Sequence, residues 1–174
     1  SCGPRTPADL VGMTVRVPPS PIMVETFKSF GARPTEVPWG EVYNALQSNV
    51  VNGAEAPFGS IWGSKLQEVR KVVSRTNHQI MYTTWVTSAN LFSSLPADLQ
   101  TVLLEEGRRA AENLTKATVA QDEQYANQLR QAGVQIVADV DVPAFQKASS
   151  GVYQSLPNLT PGFVDKARAA MARQ

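Results

Sequence analysis

The first half of the chain alternates short apolar strand patterns with amphipathic helix patterns, and this alternation restricts the fold more than any other feature. Strands separated by helices of this length form parallel βαβ units, because parallel neighbours need a crossover connection. The predicted strands are Met13–Val17, Thr35–Val37 and Val50–Ala56, followed by a longer β-rich segment at Gln79–Val86. The predicted helices are Ile22–Phe30, Trp39–Asn49 and Phe58–Val73. The sequence therefore predicts an α/β fold with a small parallel sheet.

The second half is dominated by one long helical pattern. It begins at Leu95–Ala97, continues to about Ala132 and ends at Gly133. A helix this long exceeds the usual globular length, so we expect it to span more than one structural unit. After it, the pattern predicts a strand at Val134–Val137 and two helices, Val142–Leu156 and Thr160–Arg173.

Composition excludes several classes of protein. The 174 residues carry a net charge of +1 with no basic stripe, so no nucleic-acid partner is expected. No apolar run approaches the roughly 20 residues that cross a bilayer, so no direct membrane insertion is expected. A single cysteine, Cys2, excludes an internal disulfide framework. The tripeptide Ser1-Cys2-Gly3 resembles the end of a lipoprotein cleavage site, where the cysteine would carry lipid; a truncation is the other explanation.

Catalytic constellations are difficult to assemble from these residues. One histidine, His78, and one cysteine exclude most nucleophile–base pairs of those types. Metal-ligand spacings of cysteine and histidine and glycine-rich phosphate loops are absent from the sequence, so no metal and no cofactor are predicted. The carboxylate pairs Asp139/Asp141 and Glu105/Glu106 are expected on solvated surfaces, and His78 is expected to make a structural hydrogen bond. We therefore predict that the chain is not an enzyme.

Three consecutive strand ends carry residues suited to ligand binding. In open α/β sheets, ligands bind beyond the carboxyl ends of the strands. Arg16 lies near the end of the first strand, and an arginine in an apolar strand must reach solvent, pair with an internal glutamate or meet an anionic ligand. Trp39 follows the second strand, as either a core residue or a pocket wall. Glu55 and Ala56 follow the third strand, so all four are expected around one crevice.

These residues lie within runs that resemble a known family. The chain resembles the DctP-type solute receptors of TRAP transporters over nearly its whole length. The runs that carry the resemblance, in order, are Pro7–Pro18 (ending VGMTVRVP), Gly31–Thr35, Glu41–Gln47, Val51–Glu55 (VNGAE), Lys65–Val69, Thr76–His78 and Leu95–Gln100 (LPADLQ).

The resemblance implies a periplasmic binding protein-like clamshell of two α/β lobes that closes on its ligand, braced by a long helix. Residues 1–80 would form the second, ligand-binding lobe. Residues 81–174 would supply a crossing strand, the bracing helix and C-terminal elements that pack on the other lobe, most of which has no counterpart in this chain. The implied function is capture of a small organic acid in the periplasm for a TRAP membrane permease. A ligand-sensing receptor of the same fold, not coupled to transport, is the alternative.

The resemblance also implies roles for single residues. Arg16 matches the arginine that pairs with the ligand carboxylate, and Trp39 matches a position that is often aromatic and lines the pocket. Ala56 departs from the pattern, because many relatives have an asparagine there that hydrogen-bonds the ligand. Together with Trp39, this change indicates a ligand with a less polar body than a sugar acid. Some relatives hold a metal ion near the position of Glu55, but nothing in this sequence requires one. Tyr82 is expected to reach the cleft from the crossing strand.

Overall fold

The computed structural model describes residues 3–156 and 159–171. Cys2, the proposed lipid attachment point, lies outside the described residues, as does Arg173. The strands are β1 Thr14–Val17, β2 Arg33–Glu36, β3 Gly53–Ala54, β4 Val72–Ser74 and β5 Gln135–Val137. The α-helices are α1 Pro21–Ser29, α2 Val42–Gln47, α3 Phe58–Gly63, α4 Leu66–Val69, α5 Ala89–Ser94, α6 Ala97–Gln131, α7 Val142–Ala148 and α8 Phe163–Met171. Short 3-10 helices occupy Pro7–Leu10, Trp39–Glu41 and Val152–Ser155.

The strands form two parallel sheets, which confirms the predicted α/β class. The larger sheet has the order β2-β1-β3, and the smaller sheet pairs β4 with β5. In the larger sheet Arg16 lies opposite Thr35 on one side and Ala54 on the other. Because all three strands are parallel, their carboxyl ends meet at one edge of the sheet.

Two predicted helix boundaries agree with the structure. The first helix begins at Pro21 and is followed by Gly31, whose φ of 81° is the left-handed conformation that glycine adopts most easily. The long helix α6 covers Ala97–Gln131, and Gly133, also at a φ of 81°, follows its end. Both ends follow from local signals that are visible in the sequence.

The single helix predicted over Phe58–Val73 is wrong. Lys65 adopts a left-handed conformation with a φ of 56°, which separates α3 from α4. Val72 and Val73 then enter β4 and pair in parallel with β5. These β-branched residues fit a pleated strand better than a helix, and the distant strand β5 supplies the pairing.

The predicted crossing strand at Gln79–Val86 is also not observed. The segment is irregular, and its apolar side chains are exposed: Ile80, Met81, Tyr82, Trp85 and Val86. A β-rich segment becomes a strand only when a neighbouring strand supplies backbone partners, and neither sheet of the described residues includes it. Likewise, the helix predicted over Val142–Leu156 ends at Ala148, and a 3-10 turn follows.

The core consists of two clusters on the larger sheet and beside it. The first joins α2, α3 and α4 to the C-terminal part of α6, where Ala126 and Leu129 are fully buried. The second joins β1 and α1 to α7, where the Phe145 ring packs against Phe30 with centroids 4.9 Å apart. The C-terminal end of α6 and the helix α7 therefore both pack on residues 1–80. Among the described residues, no helix has the length and apolarity that spanning a membrane requires.

Candidate ligand-binding site

The carboxyl-end edge of the larger sheet brings together three of the predicted site residues. Arg16 is in β1, Trp39 begins the 3-10 helix that follows β2, and Glu55 directly follows β3. Pro38 precedes Trp39 and Pro57 precedes α3, so the chain leaves the sheet abruptly at both places. Short strands and sharp exits bring both Trp39 and Glu55 within contact distance of Arg16.

Arg16 is almost completely buried, with 3% of its surface exposed. Its Nε donates a hydrogen bond of 2.8 Å to the carbonyl oxygen of Val37, just past the end of β2. Within residues 3–156 and 159–171 this is the only hydrogen bond that its guanidinium makes. The arginine therefore does not extend into bulk solvent, and its two terminal nitrogens keep their hydrogen-bonding capacity.

Glu55 is the carboxylate beside Arg16. Its Oε1 lies 3.7 Å from Nη1 of Arg16, an ion-pair distance that is too long for a good hydrogen bond, and 15% of the Glu55 side chain is exposed. Burial raises the pKa of Glu55, while the charge of Arg16 opposes that rise. Burial likewise lowers the pKa of Arg16, and Glu55 opposes that change. Of the environments that the sequence left open for Arg16, the structure shows pairing with an internal glutamate. That glutamate lies at the same carboxyl-end edge of the sheet.

Trp39 packs against the guanidinium of Arg16. The Arg16 Cζ atom lies over the indole, 5.3 Å from the ring centroid, which is a cation–π geometry. Trp39 remains 40% exposed. It is therefore an exposed aromatic wall beside a buried cation rather than a core residue.

His78 is a member of this cluster that the sequence did not reveal. Its Nε2 lies 3.9 Å from Oε2 of Glu55, and its Nδ1 is hydrogen-bonded to the Thr76 hydroxyl at 2.7 Å. The ring also contacts the edge of Phe27, and burial lowers the pKa of His78. Among the described residues, the buried Nε2 makes no hydrogen bond. The expected structural hydrogen bond is confirmed at Thr76, but the proximity to Glu55 had no signal in the sequence.

The remaining two predicted site residues are placed differently. Ala56 follows Glu55 and packs, partly buried, against the first core cluster, where it offers a methyl group and no hydrogen-bonding group. Tyr82 lies in the irregular segment with 87% of its surface exposed, and the structure does not bring it to Arg16. In the described part of the chain, Glu55 and His78 belong to no group of three or more side chains able to hold a metal ion.

Comparison with known proteins identifies the family. The chain matches DctP, the bacterial extracellular solute-binding protein family 7, over residues 4–158. The chain belongs to this family. The DctP match confirms the resemblance seen in the sequence, and the relatives below are solute-binding proteins rather than enzymes.

Two solved structures and one curated relative illustrate the relationship. A TRAP periplasmic solute-binding protein from Ochrobacterium anthropi with bound L-fuconate is 35% identical, with a TM-score of 0.83, over 97% of this chain and 56% of that one. A second, from Fusobacterium nucleatum with bound sn-glycerol-3-phosphate, is 29% identical, with a TM-score of 0.86, over 99% and 56%. The 2,3-diketo-L-gulonate-binding periplasmic protein YiaO of Escherichia coli K12 is 34% identical over 83% of this chain and 44% of its own length. This DctP-family chain thus spans about half the length of its relatives, with the fold of a periplasmic-binding-protein fragment.

Proposed function

We propose that the protein is a periplasmic receptor that captures a small organic acid and delivers it to a TRAP membrane permease. The observation that carries this proposal is the state of Arg16. Its guanidinium is buried at a sheet edge, yet its terminal nitrogens make no hydrogen bond within the described residues. A planar guanidinium that is held in place by one hydrogen bond matches a carboxylate in two parallel hydrogen bonds.

The neighbours of Arg16 support this role. The hydrogen bond to Val37 and the Trp39 ring fix the guanidinium, so little side-chain freedom is lost when a ligand binds. The exposed face of Trp39 offers flat apolar contact to the body of the ligand. Glu55 compensates part of the buried positive charge before a ligand arrives.

The relatives support the class of ligand and the location. YiaO is named for binding 2,3-diketo-L-gulonate in the periplasm, and the Ochrobacterium protein holds L-fuconate. Both ligands are organic acids, as the proposal requires. Ala56 packs against the first core cluster and offers no hydrogen-bonding group. Where many relatives have an asparagine, this alanine favours acids whose bodies carry fewer hydroxyls than sugar acids do.

The proposal includes a second lobe that closes over the site. The N-terminal two thirds of α6 expose apolar side chains, among them Leu99, Leu103 and Leu104, and the segment at 80–86 does the same. We propose that residues 1–80 form one lobe together with the C-terminal end of α6 and α7, which pack on them, and that the segment at 80–86 and the N-terminal part of α6 cross to the other lobe and brace it. In the closed form Tyr82 would face the ligand, and closure would exclude water from the ion pair.

A ligand screen tests the proposal. The protein as its gene encodes it should show a rise in melting temperature with at least one small carboxylic acid. The uncharged amide of the same acid should give no such rise, because it cannot form the charge-assisted pair with Arg16. The panel covers sugar acids, keto acids and aromatic acids. If no acid shifts the melting temperature, or if amides shift it equally, the proposed function is wrong.

A further inference from the structure

We propose that the ligand of this site carries a single negative charge, so that dicarboxylates and phosphate monoesters are rejected. This inference rests on the proposed function and specifies the class of acid. It follows from the balance of charges around Arg16.

Arg16, the one buried cation that the described residues place at this edge of the sheet, is already partly neutralised. Glu55 approaches Arg16 to 3.7 Å, and both side chains are largely removed from solvent. His78, the other basic group in contact with Glu55, is surrounded by Phe27 and Thr76, and it adds no cation while it is neutral. The cluster therefore offers the ligand at most one unit of positive charge, and Glu55 already compensates much of it.

The stretches that leave the three strand ends add negative rather than positive charge. Arg75, which lies over the Phe58 ring at 5.4 Å, is already paired with Asp122 and Glu123. The described stretches that leave the three strand ends are residues 16–20, 36–42 and 55–58. They contain one basic side chain, Arg16, and three acidic ones, Glu36, Glu41 and Glu55. Glu36 and Glu41 are exposed and therefore partly screened by salt, but neither attracts an anion.

This arrangement of protein charges selects ligands by how many anionic groups they carry rather than by their size. A first carboxylate pairs with the terminal nitrogens of Arg16 and is compensated there. A second anionic group on the same small molecule would lie near Glu55, or in the closing cleft, without a cation from these strand ends. An uncompensated charge in such a place is costly, and like charges repel. The glycerol phosphate bound by the Fusobacterium relative is an example of a ligand that this site should refuse.

The test uses ligands of equal length that differ in charge. The affinities of the protein as its gene encodes it are measured by calorimetry for galactonate and galactarate, and for hexanoate and adipate. In whichever pair binds, the monoanion should bind about tenfold or more tightly than the dianion. The monoamide of the dianion in that pair has its length but only one charge, and it should bind like the monoanion. If none of these four acids binds, the acid found in the ligand screen and the dicarboxylate of the same length form the pair. A screen in which no acid binds would contradict the proposed function itself, and the inference with it.

Glu55→Gln identifies the source of the selectivity. Removing this charge should reduce the preference for the monoanion by about tenfold, because the second anionic group then meets a neutral amide. Glu112→Gln, the same change on an exposed part of α6, should leave the preference as it is. A dianion that binds the unaltered protein as tightly as the monoanion, or a monoamide that binds as weakly as the dianion, would overturn the inference. A full preference retained in Glu55→Gln would do so as well.

Discussion

At the scale of single residues, the site is a row of three partly or fully buried ionisable groups. Arg16 lies beside Glu55, and Glu55 lies beside His78, at 3.7 and 3.9 Å. Removing one member of such a row leaves a buried neighbour without its partner, which is more costly than exchanging exposed charges. Substituting any of these three residues should therefore change both the ligand affinity and the free energy of unfolding.

The pH dependence of stability reports on His78. Burial lowers the pKa of His78, so the unfolded chain takes up a proton on acidification before the folded chain does. The stability that His78 contributes is present above its ordinary pKa and is lost as the pH falls toward the lower folded value. In His78→Gln, the free energy of unfolding should therefore decrease less between about pH 7.5 and about pH 5.5 than in the unaltered protein.

Urea unfolding at the two pH values measures this difference. Glu55 is present in both proteins, so its own titration contributes similarly to each. Equal losses of unfolding free energy in His78→Gln and in the unaltered protein would show that the histidine does not carry the effect.

Part of this row could be predicted from the sequence. Arg16 stands in an apolar strand, which required it to reach solvent, pair with an internal acid or meet an anion, and Glu55 stands at the end of a neighbouring strand. His78 could not be placed, because its approach to Glu55 depends on the path of the chain between them. That path includes left-handed conformations at Lys65 and Asn77, which side-chain pattern alone does not indicate.

At the scale of elements, the contact between α3 and α6 holds the C-terminal part of the long helix to the lobe. Gly59 in α3 faces the Tyr125 ring of α6 so closely that an added Cβ would lie 3.1 Å from the ring. Gly63, in the same helix, has nothing within 4 Å of such a Cβ. Substitution of Gly63 therefore measures helix propensity alone, whereas substitution of Gly59 also measures the packing of α3 on α6.

Alanine substitutions at these positions should differ in sign or size. Gly63→Ala should raise the free energy of unfolding by up to about 1 kcal/mol, because alanine is the better helix former. Gly59→Ala should be less favourable than Gly63→Ala by about 1 kcal/mol, because the Tyr125 ring must move. Chemical denaturation measures both. If Gly59→Ala were as stabilising as Gly63→Ala, the close packing of α3 on α6 would be contradicted.

Some boundaries of helices and strands could be predicted from local sequence signals, and others could not. The end of α6 could be predicted because Gly133 marks it locally. The break between α3 and α4 could not, because Lys65 is an ordinary helix former that adopts its left-handed conformation in the folded context. The strand at Val72–Ser74 depends on β5, more than 60 residues later, and the irregular segment at 79–86 has no partner strand in either sheet.

At the scale of the whole molecule, the exposed apolar part of α6 supports the proposal of a second lobe. The chain spans 56% of the Ochrobacterium protein, and Leu103 is 52% exposed. Leu103→Ala should cost about 0.5 kcal/mol or less in the isolated 174-residue chain. In the protein as its gene encodes it, the same change should cost about 2 kcal/mol or more if the side chain is buried there. Small, equal costs in both would contradict the bracing role of α6.

The central claim, that Arg16 binds the carboxylate of an organic acid, is tested most directly by calorimetry on one pair of variants. Arg16→Met should weaken the acid found in the ligand screen by about tenfold to a hundredfold, because a charge-assisted pair is lost. Arg33→Met removes an exposed arginine at the opposite end of the same sheet and should leave the affinity unchanged. Circular dichroism checks that both variants fold. Unchanged affinity in a folded Arg16→Met would contradict the claim.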